Sequence, residues 1–214
     1  VRPSTKPALP IECFADIWCP FAYVGLVEVF AARQEVAPAS PILVRAWPLE
    51  QINGSPLSAS TVIEEAADLR EQVAPDLFAG VDQRRFPAST LLALGLTSSA
   101  YRRGSSVGEQ VSMELRRRLF EQGEDISDPE VLGALAAEHD LDLPSRASAA
   151  ESVASEYALG RDRGVKGSPH FFAGSSQSFC PTLDVARSGE HLRLALERRR
   201  LHSWLAAALL DRAP

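Results

Sequence analysis

Apolar positions in the first fifty residues change their period twice. Residues 11–18, IECFADIW, are a short run rich in β-branched and aromatic side chains, the pattern of a buried strand. From Pro20 the spacing becomes helical, with Tyr23, Leu26, Val27, Phe30 and Ala31 on one side. A second strand is expected over residues 42–47, closed by Pro48. Strand, helix and strand of these lengths make a βαβ unit, whose crossover requires parallel strands.

Beyond the loop NGSPLS (53–58) the pattern stays helical as far as residue 163. Helices are expected over 61–73, ended by Pro75, and over 89–103, ended by Gly104. Another covers 107–122, with Val111, Leu115, Leu119 and Phe120 on its apolar face. In SDPEVLGALAAEHDL, Ser127 or Asp128 caps a helix that has Pro129 at its first position. A fifth helix is expected over 149–163. Strand signals return after Gly164. SPHFFAG is a short apolar run, and if GSSQ (174–177) turns a hairpin, the returning chain brings Cys180 back near Pro169. TLDVA, the turn RSGE and LRLAL predict a second hairpin, with Leu192, Leu194 and Leu196 alternating. Leu201, Trp204, Leu205, Ala208 and Leu209 mark a closing helix.

At 214 residues with 45% apolar content, the chain can bury a full core without disulfide or metal. A net charge of −6 argues against nucleic acid as the main partner. Arginine far outnumbers lysine (Lys6 and Lys166 alone), which with abundant alanine suggests a GC-rich bacterial genome. The opening VRPSTKPALP is not followed by an apolar run of signal-peptide length, and no stretch reaches the ~20 apolar residues of a membrane span. Three cysteines are too few and too odd in number for a secreted disulfide framework, so a reducing cytoplasm is expected. His139, His170, His191 and His202 have no metal-ligand spacing, and no Cys-x-x-Cys pair occurs.

The chemistry concentrates in DIWCPFAYVG, residues 16–25. Cys19 falls at the N-cap of the first predicted helix, with Pro20 in its first turn. Unpaired N–H groups and the positive end of the helix dipole then face the sulfur. Thiols so placed have pKa values of roughly 3.5–7.5 and attack disulfides as thiolates; the alternative is a buried, inert cysteine. Asp16 either accepts protons during exchange or hydrogen-bonds the following turn, and its charge opposes the helix. Trp18 and Phe21 are candidates for an apolar substrate rim or for ordinary packing. Cys13, six residues upstream on the same expected strand, would lie about 20 Å from Cys19 at 3.3 Å per residue. That exceeds the ~7 Å Cα separation of a disulfide, so Cys13 reads as a core residue.

DIWCPFAYVG followed much later by GVKGSPHFF resembles the DsbA family of thioredoxin-fold proteins, especially its cytoplasmic FrnE-like branch. Asp16, Cys19, Pro20, Tyr23 and Gly25 match the first motif; Gly164, Val165, Gly167 and Pro169 match the second. The resemblance implies a thioredoxin-like α/β fold over 10–55 and 164–214, interrupted by an all-helical insertion over 56–163. It also implies that Pro169 follows a cis peptide bond beside Cys19, and that Ser168 offers its backbone to an extended substrate strand. His170, the next residue, is a candidate to face the site, where a cation would favour the thiolate. Ala22 departs from the family's Cys-Pro-X-Cys and removes the internal disulfide. The expected activity is therefore thiol–disulfide exchange through Cys19 alone, by mixed disulfides with a protein or small-molecule substrate. Cys180 is a candidate resolving thiol or a bystander. The Cys-Pro-Phe-Ala sequence before Tyr23 is also similar to the Ser-Pro-X-Ser or Ser-Pro-X-Ala before an aromatic of kappa-class glutathione transferases and 2-hydroxychromene-2-carboxylate isomerases. That likeness implies an alternative, a transferase or isomerase with no tightly bound cofactor that uses a low-molecular-weight thiol, glutathione or mycothiol. A peptide-binding member without catalysis is the third expectation. No membrane or nucleic-acid partner is expected.

Overall fold

The computed structural model describes residues 8–188 and 191–210. The first seven residues, the second half of the predicted RSGE turn and the last four residues lie outside the described residues. Strand β1 (Ile11–Ala15) pairs in parallel with β2 (Ile42–Ala46), and α1 (Pro20–Val36) makes the crossover. Between β2 and the next strand come α2 (Leu49–Asn53), α3 (Ala59–Gln72), α4 (Leu91–Arg103), α5 (Ser105–Phe120), α6 (Pro129–Glu138) and α7 (Arg146–Asp162). Strand β3 (His170–Ala173) then runs antiparallel beside β1, and β4 (Ser176–Phe179) completes a sheet of order β2-β1-β3-β4. A separate hairpin, β5 (Leu183–Ser188) and β6 (His191–Leu196), precedes α8 (Arg198–Leu210). Among the described residues no helix is long and apolar enough to cross a membrane.

Local chemistry accounts for the boundaries. Asp128 caps α6 by accepting the Glu130 N–H, and Pro129 starts the helix as expected. β1 ends three residues before its apolar run does, because Asp16 turns the chain: its carboxylate accepts the N–H groups of Ile17 and Leu49, each at 2.7 Å. The short α2 that follows Pro48 had no periodic signal. On α1 the buried stripe runs through Ala22, Gly25, Leu26, Val29 and Ala32, while Ala31 is exposed and Val27 and Phe30 are half-buried. The helix is rotated from the simplest reading because it packs against both α3 and α8.

Register divides the sheet into two faces. Ile11, Cys13 and Ala15 align with Ile42, Val44 and Ala46 on one side and with Phe171 and Ala173 on the other, all facing the main core. The opposite face carries Glu12, Phe14, His170 and Phe172, and a smaller core of Phe14, Trp47, Val165 and Phe172 lies against Tyr157 of α7. Burial raises the Glu12 carboxyl, but the Arg45 and Arg163 guanidiniums outweigh it and hold the group below the usual carboxylate range. The outer edge of β2 is closed by side chains of the helical block. The Ile42 N–H donates to Glu109, its carbonyl accepts from Tyr101, and the Ala46 N–H donates to Glu156.

α7 crosses the smaller core at Gly160. A Cβ there would stand 2.8 Å from Trp47 and 2.9 Å from Phe14. Both rings are buried and stiff, so Gly160→Ala is expected to cost about 1–3 kcal/mol of overpacking, against about 1 kcal/mol gained in helix propensity. Urea unfolding checks this: the midpoint should fall, and an unchanged or higher midpoint would show that the rings yield.

Candidate functional site

Cys19 occupies the N-cap of α1 with extended backbone (φ −79°, ψ 110°), and Pro20 stands at the first helical position. The Cys19 carbonyl accepts the N–H groups of Ala22 and Tyr23, which starts the helix. Its Sγ donates to the Ser168 carbonyl at 3.3 Å, and the Ser168 hydroxyl accepts the Asp16 N–H at 3.0 Å. The Ser168–Pro169 peptide bond is cis. Pro169 packs on α1 at Gly25, where a Cβ would lie 3.2 Å from its ring. Two stretches nearly 150 residues apart thus meet at one point, and Gly25 is the residue that permits the approach.

A cleft of about 560 Å³ opens beside them, lined by Phe21, Ser168, Ser178, Phe179, Cys180 and Arg200 among others. Cys180 has a left-handed backbone (φ 44°) and donates its N–H to the Pro169 carbonyl at 3.1 Å. A larger groove of about 680 Å³ between α1 and α5, lined by Val27, Phe30 and Met113, holds none of the motif residues.

Electrostatics at Cys19 differ from the expectation. The residue is only 5% exposed, and burial pushes its thiol up to about 12. The Ser168 hydroxyl and Ala22 amide pull it down, while the Glu65 and Asp16 carboxylates push it further up. Desolvation therefore outweighs the helix start, and the resting group is a neutral thiol rather than a thiolate. Asp16 is fully buried; burial raises its carboxyl to about 6 against the Leu49 amide, the Thr90 hydroxyl, the Ile17 amide and Arg116.

Arg116 of α5 is the main residue that sequence reasoning missed. Its guanidinium is completely buried, donates to the Ser112 carbonyl and hydroxyl at 2.8 Å, and reaches the Asp16 carbonyl at 3.2 Å. Burial lowers its pKa, while its buried neighbours Cys13 and Asp16 raise it. A signal was present: Arg116 lies three residues after Met113 and four before Phe120, on the buried side of α5. Glu65 of α3, within electrostatic reach of Cys19, had no signal at all.

Two expected site residues lie elsewhere. Trp18 is fully buried and stacks on Phe86 with ring centroids 6.0 Å apart, so it forms part of the core and not a rim. His170 pairs with Phe14 across the sheet and stacks on Phe172, on the face away from Cys13. Strand alternation turns it from the site, and its Nδ1 accepts the Lys166 N–H at 3.0 Å. Burial also lowers its pKa, which disfavours the imidazolium. Ala22 is buried beneath Cys19's helix turn, and Phe21 reaches the cleft. Cys13 is a fully buried core residue whose thiol burial pushes up. The 20 Å spacing does not hold, however, because β1 ends at Ala15 and the chain turns; Cys13 is within electrostatic reach of Cys19 and Cys180. All three cysteines are free. Among the described residues no three His, Cys, Asp or Glu side chains gather as a metal site.

Solved structures share this architecture. A probable DsbA oxidoreductase from Streptomyces coelicolor superposes with a TM-score of 0.70 at 19% identity, over 96% of this chain and 92% of that one. Cytosolic disulfide reductase DsbM from Pseudomonas aeruginosa, also solved with GSH, gives 0.54 at 17% identity, over 92% and 96%. A 2-hydroxychromene-2-carboxylate isomerase gives 0.59 at 17% identity, over 79% and 87%. No curated protein matches the chain. The α/β fold is thus thioredoxin-like, and the DSBA-like thioredoxin domain family matches residues 10–192, so the chain belongs to that family.

Proposed function

We propose that the chain is a thiol–disulfide oxidoreductase in which Cys19 is the single attacking thiol, a monothiol member of the FrnE-like kind. The observation that carries this reading is the contact of Cys19 Sγ with the Ser168 carbonyl, next to the cis bond and at the edge of an open cleft. Cys19 attacks one sulfur of a substrate disulfide, forms a mixed disulfide and displaces the other sulfur as a thiolate, which takes the Cys19 proton. An external thiol then attacks the substrate sulfur of that mixed disulfide, forms a new disulfide with it and returns Cys19 as a thiol. Asp16, a buried carboxyl with a pKa of about 6 whose charge reaches Cys19, is suited to holding a proton near neutral pH, and Arg116 holds its backbone through the Asp16 carbonyl. Phe21 and Ser168 would contact the substrate. Cys180, tied to Pro169 on the same cleft, is the candidate internal resolver. Such chemistry suits a reducing compartment, as for cytosolic DsbM.

The buried, neutral state of Cys19 favours a second reading, in which the site holds a low-molecular-weight thiol such as glutathione or mycothiol without a covalent bond, for a transferase or isomerase reaction. One experiment separates the two. Protein incubated with glutathione disulfide at pH 8 and measured by intact mass should gain one glutathionyl group on Cys19. Cys19→Ser should lose the adduct, and Cys13→Ser should keep it. A Cys180→Ser protein that accumulates the adduct, where the parent goes on to a Cys19–Cys180 disulfide, would assign resolution to Cys180. No adduct on Cys19, with reduced glutathione bound reversibly, overturns exchange and selects the second reading.

A further inference from the structure

The two long edges of the β5–β6 hairpin are treated differently. On β6, the Leu192 N–H donates to Asp68 at 2.9 Å, its carbonyl accepts from the Gln72 side chain at 2.8 Å, and the Leu194 N–H donates to Gln72 at 3.0 Å. These groups therefore point to α3 and away from β5. Leu192 and Leu194 stand opposite Arg187 and Val185, so both are non-hydrogen-bonded pairs of the antiparallel ladder. It follows that Val185 and Arg187 direct their own N–H and C=O groups outward from β5. Leu183, in the same phase, confirms the geometry: its N–H meets the Cys180 carbonyl and its carbonyl accepts from Arg200. Among the described residues no hydrogen-bond partner meets the outward groups of Val185 and Arg187.

This open edge borders the site. Leu183, Asp184 and Val185 line the cleft that holds Ser168 and Cys180, and Val185 and Phe179 are exposed apolar side chains there. Glu65 links the two regions, within electrostatic reach of both Arg187 and Cys19. A free small thiol has no use for two ladder positions spaced by one residue; an extended backbone does. Arg200 lines the cleft together with Asp184, and Arg187 on the same edge lies within reach of Glu65, so the rim is close to charge balance and recognition falls to the open backbone positions.

We propose that the outer edge of β5 receives an extended, cysteine-bearing segment of a protein substrate as an added strand, pairing at Val185 and Arg187 while its alternate apolar side chains enter the cleft. This rests on the reading of Cys19 as the exchanging thiol, but its test does not use that thiol. Amide hydrogen exchange is measured on the Cys19→Ser protein with an acetylated ten-residue peptide that alternates valine and threonine around a central serine and carries one glutamate. The Val185 and Arg187 amides should slow at least tenfold at saturating peptide, and glutathione should slow neither. Asp184 and Ala186, already paired to β6, should be slow throughout. Val185→Pro, which removes an outward donor on an edge strand, should weaken peptide binding at least tenfold more than Val185→Ala, which removes the side chain alone, while Asp184 and Ala186 stay protected. The inference is overturned if the peptide leaves both amides unchanged, whether it binds elsewhere or not at all. It is equally overturned if Val185→Pro with an intact hairpin binds the peptide as the parent or Val185→Ala does. Protection without peptide that grows with protein concentration would assign the edge to a second copy of this chain and also overturn it. Loss of Cys19 adduct formation, read separately by mass, would instead bear on the exchange reaction.

Discussion

Alkylation of Cys19 by iodoacetamide should rise about tenfold for each pH unit from 7 to 10 and show no plateau below pH 11. With the thiol pushed up to about 12 by burial, the thiolate fraction at pH 7 is on the order of 10⁻⁵, against about 3% for a free cysteine of pKa 8.5. The resting rate should therefore be roughly three thousand times slower than that of an unstructured cysteine. A plateau between pH 4 and 8 would show instead that the helix start and the Ala22 amide defeat desolvation. The same shift acts on stability. The thiol's pKa is raised in the folded state, so its contribution is fully present below the unfolded value and is lost as pH climbs toward 12. A neutral, buried Cys19 therefore reacts slowly with disulfides free in solution.

Arg116→Ala should be the most damaging single change near the site. Removing one partner of a buried charge cluster costs about 3–5 kcal/mol, which for a chain of this size lowers Tm by about 6–20 °C. The Asp16 carboxyl should respond in a direction that packing loss alone would not produce. Arg116 lowers its pKa, so its removal should move the Asp16 titration above about 6, followed through the carboxyl ¹³C resonance. A double-mutant cycle with Asp16→Asn and Arg116→Met should show a coupling of about 0.5–3 kcal/mol. Additive effects and an unmoved titration would mean that Arg116 serves α5 through Ser112 and not the site.

Much of the architecture was legible because its causes are local. The capped start of α6 needs only Asp128 and Pro129 to be adjacent, and the apolar stripe Val111, Leu115, Leu119 and Phe120 is a property of helical repeat. The return of the chain after Gly174 places the Cys180 amide on the Pro169 carbonyl, as a tight hairpin requires. Errors arose where a neighbour distant in sequence decides. Trp18 reads as rim or packing until Phe86 covers it, and His170 reads as a site candidate until its register with Phe14 fixes its face. Arg116 takes its place at the site only once α5 is laid against the turn at Asp16.

By itself the sequence determined that Cys19 begins a helix, that Ala22 leaves it without a thiol partner in that first turn, and that a proline motif waits far downstream. These follow from residue type and spacing, which act within a few residues of backbone. Tertiary structure alone decided what state the thiol is in. Its pKa depends on how much water reaches Sγ and on which carboxylates, Glu65 and Asp16, are folded against it. Desolvation and long-range charge are sums over the whole surrounding volume, and no window of sequence contains them.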